Sequence, residues 1–168
     1  MIKNVHERTY PVPASTMAPL LDRIAEPGNP LWPTEKWPPL VLDRPLGAGA
    51  DGGHGPIRYT CTAYEPGRRV EFTFKPPTGL DGTHTFILTD NGDGTCALRH
   101  ELIGTAPGLN RIMWAIAIRW MHDALLEGLL DKAAHAVDHP PARPFIWPVW
   151  TRLVYRVFGL LQKKGARV

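Results

Sequence analysis

The sequence contains no stretch of about 18 uninterrupted apolar residues, the length a membrane-spanning helix requires. Its start, Met1-Ile2-Lys3-Asn4-Val5-His6-Glu7, lacks the apolar segment of a secretory signal. Cysteine is scarce: Cys61 and Cys96 are the only two, and they form no Cys-x-x-Cys pair. That excludes a disulfide scaffold and favours two free, buried thiols in a reducing, cytoplasmic compartment, with a single bridge as the alternative. Neither Gly-x-Ser-x-Gly nor His-Glu-x-x-His occurs, so nucleophilic catalysis has no visible support. No acid lies between Pro140 and Val168, a segment that holds Arg143, Arg152, Arg156, Lys163, Lys164 and Arg167. The formal charge of +3 therefore belongs to this tail. The body is mildly acidic, its bases are scattered and no nucleic-acid motif is present, so nucleic acid is not an expected partner.

What is present suits one globular domain: 168 residues, 43% hydrophobic and 21% charged. The 16 glycines and 18 prolines imply many turns and long loops. Residues 3–12 read as a first strand closed by Pro11 and Pro13. Ser15 is the expected N-cap of a short helix through about Ala25, with Met17, Leu20, Leu21 and Ile24 on one side and Pro19 weakening its first turns. Residues 26–39 cannot form a regular element, given their five prolines. They carry Trp32 and Trp37 and are expected to pack over something apolar.

From residue 40 to residue 103 the pattern is β. Leu40–Leu46 is a candidate strand. Residues 56–64 and 69–75 form a hairpin around Glu65-Pro66-Gly67-Arg68. With Glu65 facing Arg68, Tyr59, Cys61 and Ala63 share a face with Val70, Phe72 and Phe74. A second hairpin, 83–90 and 95–103, turns at Asp90-Asn91-Gly92-Asp93-Gly94. A three-residue loop with a bulge there puts His84, Phe86, Leu88, Cys96, Leu98, His100 and Leu102 on one face. Residues 108–137 form the longest helix, with one stripe through Leu109, Ile112, Met113, Ile116, Trp120 and Ala124. A second stripe runs through Trp114, Ile118, Met121, Leu125 and Leu129, and Arg119, Asp123, Glu127 and Asp131 lie between the two. A curved antiparallel sheet against such a helix is an α+β arrangement that leaves room between the layers, a common place for an apolar ligand.

This order resembles the START-like superfamily, also called SRPBCC or helix-grip, which includes polyketide cyclase/dehydrase-like proteins. The residues that carry the resemblance are the strand and helix junction Tyr10-Pro11-Val12-Pro13-Ala14-Ser15, the Tyr64-Glu65-Pro66-Gly67-Arg68-Arg69-Val70-Glu71-Phe72 hairpin, the Leu88-Thr89-Asp90-Asn91-Gly92-Asp93-Gly94-Thr95 hairpin and the long closing helix. The resemblance covers residues 3–137. It implies a helix-grip fold, a curved antiparallel sheet wrapped around a long C-terminal helix, with a hydrophobic small molecule held between them. In some members it also implies aromatic cyclisation or dehydration by cavity acids, bases and arginine. Two segments depart from the family pattern: the Pro- and Trp-rich loop 26–39, and the tail 140–168.

The expected ligand-binding residues are Tyr59, Phe72 and Phe74 of the first hairpin, His84, Phe86, Leu98 and His100 of the second, and Met113, Ile116 and Trp120 of the helix. His84 and His100 are expected as cross-strand neighbours that orient a ligand carbonyl or hydroxyl, or move a proton. With Tyr59 they are the acid/base candidates if the protein is a cyclase or dehydratase; otherwise they are satisfied core side chains. No cofactor is expected. Zinc would need a third ligand beyond His84 and His100 that the spacing does not supply. Gly47-Ala48-Gly49-Ala50-Asp51-Gly52 fits a dinucleotide fingerprint literally, but a strand rather than a helix follows, so it reads as an inter-strand loop. Asp90-x-x-Asp93-Gly94 lacks the closing acid of a calcium loop and reads as a turn.

The chain divides into a body, residues 1–139, and a Pro-rich linker with a basic amphipathic helix, residues 140–168. In 147–164, Arg152, Arg156, Gly159 and Lys163 share one helical face, and Trp150, Leu153, Val154, Val157 and Leu161 the opposite one. Such a face packs on the long helix, on a second subunit as a homodimer, or on a membrane surface as a peripheral contact.

Overall fold

The computed structural model describes residues 1–76 and 78–165, with side chains described as far as Gly159. β1 (Ile2–Tyr10) leads through Pro13 into α1 (Ala14–Asp22). Six strands follow: β2 (Val41–Leu42), β3 (Asp51–His54), β4 (Ile57–Glu65), β5 (Arg69–Phe74), β6 (Asp81–Asp90) and β7 (Cys96–Thr105). They form one curved antiparallel sheet in the order β1-β7-β6-β5-β4-β3-β2. A long helical run then crosses the concave face: α2 (Leu109–Met113), a π-helical turn (Trp114–Ile118) and α3 (Arg119–Ala136). α4 (Val149–Gly165) ends the described chain. This is the helix-grip α+β architecture.

Several local expectations are corrected. The N-cap of α1 is Pro13, whose ring presets the backbone and whose carbonyl accepts from Thr16 N at 3.0 Å; Ser15 lies inside the helix. The helix ends at Asp22, whose carboxylate accepts from Tyr64 Oη (3.0 Å) and Gly67 N (2.6 Å). These bonds dock α1 on the β4–β5 turn. Gly67 is required there twice over: its φ is +69°, and a Cβ would lie 3.0 Å from Ala18 Cβ. The Leu40–Leu46 strand shrinks to Val41–Leu42, and its partner is β3, within a segment read as loop. Asp51-Gly52-Gly53-His54 has little strand propensity, but a Cβ at Gly52 would meet Val41 O at 2.0 Å. Only glycine lets β2 approach so closely.

In the first hairpin Glu65 pairs with Arg69, not with the expected Arg68 side of the turn, and a bulge between Cys61 and Ala63 absorbs the difference. Beyond the bulge the expected pairs return, Cys61 with Phe72 and Tyr59 with Phe74, while Ala63 falls opposite Glu71. In the second hairpin Asn91 N donates to Thr95 O across a three-residue loop. Leu88 pairs with Leu98 and Phe86 with His100, so the expected face is buried.

The first stripe of the long helix is only partly buried: Leu109, Ile112 and Ile116 are exposed, Met113 and Trp120 half-buried, and Ala124 buried. The π-helical turn at 114–118 is wider than an α-turn, so residues before it are rotated relative to those after it, and a constant 3.6-residue period misplaces them. Its carbonyls find indole donors, Trp120 Nε1 to Ala115 O (3.2 Å) and Trp150 Nε1 to Ile116 O (2.7 Å). The acidic row of α3 faces β1 rather than water. Asn4 and His6 bond Asp123, His6 and Arg8 bond Glu127, and Arg8 reaches Asp131. Alternate strand residues are spaced about 6.6 Å apart and helix positions i and i+4 about 6 Å apart, so the two polar rows stay in step.

Asp131 also accepts from Phe145 N at 2.7 Å, which anchors the linker. α4 packs through Thr151, Val154, Tyr155 and Phe158, a face rotated from the expected one. Trp150, Leu153 and Val157 are exposed beside Arg152 and Arg156. The rotation lets Tyr155 Oη donate to Lys36 O (2.5 Å) while Trp150 reaches Ile116. The side chains of Leu161 and Lys163, and the tail residue Arg167, lie outside the described residues.

Candidate functional site

Between the concave sheet and the long helix lies a cavity of about 950 Å³. That is at the large end of small-molecule sites. Its floor is Phe74, His84, Phe86, His100 and Leu102; its roof is Trp114, Ile118, Met121, His122, Leu125 and Leu126. Trp32, Trp37 and His54 line a further side of it, and Tyr155 and Phe158 another. The two segments that depart from the family pattern therefore meet. Trp37, Trp147 and Tyr155 pack with ring centroids 5.0 to 5.6 Å apart, and Lys36 lies over Trp147. Within loop 26–39 Trp32 Nε1 donates to Pro38 O (2.9 Å), and Asn29 Nδ2 ties the loop to α1 by donating to Leu20 O (2.9 Å).

Sheet register gathers the histidines. His6 pairs directly with His100 across β1 and β7. His84 sits opposite Leu102, one diagonal step from His100, and His54 pairs with Ile57 near the β3–β4 turn. His122 descends from α3. Neighbouring rings lie 5.5 Å apart for His84 and His100, 5.2 Å for His100 and His122, and 6.2 Å for His122 and His6. His100 Nε2 and His84 Nδ1 are 3.3 Å apart and share a hydrogen bond, while His54 Nδ1 bonds Tyr59 Oη at 3.1 Å. His84 Nε2, His100 Nδ1 and His122 Nδ1 are buried with no protein partner.

Charge divides this row sharply. Burial, and next the neighbouring imidazoles, push His84 and His100 well below the usual histidine value. Burial lowers His54 to about 4 and His122 to about 3. His6 goes the other way. Burial pulls it down, but hydrogen bonds and charges from Asp123 and Glu127 outweigh that and raise it to about 9. At neutral pH the cavity histidines are neutral and His6 is cationic.

The hydrogen bond couples the tautomers of His84 and His100. Each neutral ring carries one hydrogen, and one of the two lies between the rings. Whichever ring supplies it, one outer nitrogen of the pair is a donor and the other an acceptor. The pair can therefore hold a ligand group at two points, or take a proton at one end and release one at the other.

Of the expected ligand residues, Phe74, His84, Phe86 and His100 border the cavity. Tyr59, Phe72 and Leu98 are buried in the core beside it; Tyr59 and Phe72 pack against the His84 ring, and Tyr59 Oη bonds His54. Met113, Ile116 and Trp120 do not border it: the π-helical turn shifts the phase of Met113 and Ile116, and the Trp120 indole turns back to donate to Ala115 O. The sequence reading missed His6, His54 and His122. For His6 the available signal was alternation: Asn4, His6, Arg8 and Tyr10 form one strand face whose polar groups match the i, i+4 acids of the helix. His54 was hidden by its glycines. Gly47–Ala50 turns into β3, with no helix following, and Asp90 and Asp93 accept from Gly92 N and Thr95 N within their own turn.

No family model matches the sequence, and no curated protein matches it. Solved structures match its fold. A protein from Thermobifida fusca is 15% identical and covers 85% of this chain and 99% of its own, with a TM-score of 0.60. CalU16 from Micromonospora echinospora is 14% identical, covers 97% of this chain and 87% of its own, and has a TM-score of 0.58. Norcoclaurine synthase from Thalictrum flavum, solved with dopamine and hydroxybenzaldehyde, is 13% identical, covers 83% and 90%, and has a TM-score of 0.57. The START-like, helix-grip resemblance read from the hairpins and closing helix thus holds for the fold. Among the described residues no helix is long and apolar enough to cross a membrane.

Proposed function

We propose that the protein binds a mainly apolar small molecule bearing a polar group, between the sheet and α3. The observation that carries this reading is the aromatic-lined cavity of about 950 Å³ with the unpartnered His84 Nε2 and His100 Nδ1 on its floor. Buried polar atoms without partners are costly, about 1–3 kcal/mol each. A ligand carbonyl, phenol or hydroxyl relieves that cost while its apolar body fills the space. Native mass spectrometry of the purified full chain tests this, together with displacement of an environment-sensitive naphthalene sulfonate probe. The probe is expected to bind, and Ile118→Trp, which fills the cavity, is expected to displace it. A chain that carries no ligand and leaves the probe dark overturns the reading.

A second reading, acid/base catalysis of cyclisation or dehydration, is supported by the coupled neutral pair His84–His100. Under it, His84→Gln and His100→Gln retain ligand and lose turnover of that ligand; unchanged turnover removes it. Delivery at an anionic membrane surface is supported by exposed Trp150, Leu153 and Val157 alternating with Arg152 and Arg156. Co-sedimentation with phosphatidylserine vesicles is expected to fall for Trp150→Ser/Leu153→Ser. No sedimentation of the parent protein, or dimerisation through this face instead, defeats that reading.

A further inference from the structure

The spacing of His84 and His100 offered no third ligand for a metal, but the fold brings together a different set. One donor atom each from His6, His122 and Asp123 lie within 4.8 Å of one another. The residues come from two elements, β1 and the first turns of α3, and the polar ladder between those elements holds them in register. His6 Nε2 lies 3.1 Å from Asp123 Oδ1, and His6 Nδ1 lies 2.7 Å from Glu127 Oε1. A ligating histidine whose other nitrogen donates to a carboxylate is the arrangement that fixes its tautomer and raises its basicity. Two further atoms are buried and unpartnered beside this group, His122 Nδ1 and Asn4 Oδ1, while Asn4 Nδ2 donates to Asp123 Oδ1 at 2.8 Å.

We propose that His6, His122 and Asp123 bind one divalent cation of the zinc class, with Glu127 as the positioning residue for His6. Two imidazole nitrogens and one carboxylate oxygen suit zinc or a neighbouring transition metal better than calcium or magnesium, which prefer oxygen ligands throughout. Coordination replaces the Nε2 hydrogen of His6 by the metal and releases one proton, while Nδ1 keeps its hydrogen toward Glu127. His122 also borders the cavity, and His100 Nδ1 is buried and unpartnered in the ring next to it. His122 is the one of the three ligands that borders the cavity, so an ion held here would act on a cavity ligand from the His122 side, by polarising a carbonyl or phenol oxygen. The site stands on its own ligands, whether or not the cavity takes an apolar molecule.

The test is titration of the metal-stripped full chain with Zn²⁺ by calorimetry, and with Co²⁺ by visible absorption. Expected are one ion per chain and the intense visible bands of low-coordinate cobalt. His6→Ala and His122→Ala are expected to abolish this binding, and Glu127→Gln to weaken it by about 10–100-fold. Replacement of the exposed His135 and His139 is expected to leave it unchanged. If the alanine variants do not fold, histidine ring NMR signals of the parent protein serve instead, with zinc shifting His6 and His122 ahead of His84. Absence of stoichiometric binding at micromolar metal, or shifts confined to His135 and His139, overturns the proposal.

Discussion

At the α1 end of the sheet–helix interface, Tyr10, Met17, Leu21, Phe72, Leu98 and Leu129 are buried against one another. Tyr10 Oη also donates to Leu130 O at 3.0 Å. At the other end the same two layers diverge around the cavity, and the buried groups there include four neutral imidazoles, three of them with an unpartnered nitrogen. One fold thus keeps its apolar packing at one end and its unpartnered imidazole nitrogens at the other. Unpartnered buried nitrogens lower stability at the cavity end, as expected of a functional site under the reading proposed above.

This contrast can be broken or sharpened by experiment. The largest effect is expected on acidification, and it belongs to the cavity end. His54 is lowered to about 4 and His84 well below its usual 6.5 in the folded protein. The unfolded chain takes up these protons near 6.5 while the folded chain refuses them. Their contribution is therefore complete above that value and is lost as pH falls from about 6.5 toward 4. Thermal midpoints across this window are expected to drop steeply, and less steeply in His54→Gln. Next is the packed end: Leu129→Ala is expected to cost about 2–5 kcal/mol in urea unfolding, because it opens a void in a filled region. A smaller loss, about 0.5–1.5 kcal/mol, is expected for Tyr155→Phe, which removes the bond to Lys36 O. Met121→Ala, which enlarges a space already present, is expected to cost less than Leu129→Ala by the same measurement; equal costs would erase the distinction between the ends. The smallest change is expected for His84→Leu: stability equal to or slightly above that of the parent, with ligand binding lost.

The sequence disclosed the packed end better than the cavity end. Leu88, Leu98, Phe72 and Val70 alternate with polar neighbours, and period-two alternation is a direct consequence of burying one strand face. His84 and His100 were legible for the same reason. Other features depend on events that leave no periodic trace. The bulge between Cys61 and Ala63 changes register without changing composition. The π-helical turn changes the phase of Met113 and Ile116 against everything that follows. β3 exists because glycine removes a steric obstacle, not because its residues favour extended backbone. His122 joins the histidine row through tertiary packing alone: its neighbours in sequence are Met121 and Asp123, and its neighbours in space are His6 and His100.

The Trp37–Trp147–Tyr155 clasp joins two segments outside the central sheet, so it can part without unpairing a strand. Under the binding reading proposed above, opening of this clasp limits the departure of a molecule held in the cavity, whereas the histidines and aromatics inside set how tightly it is held. Trp147 stands outside the cavity lining, so its replacement is expected to alter how long a guest remains more than which guest is preferred, whereas Trp37 borders the cavity and bears on both.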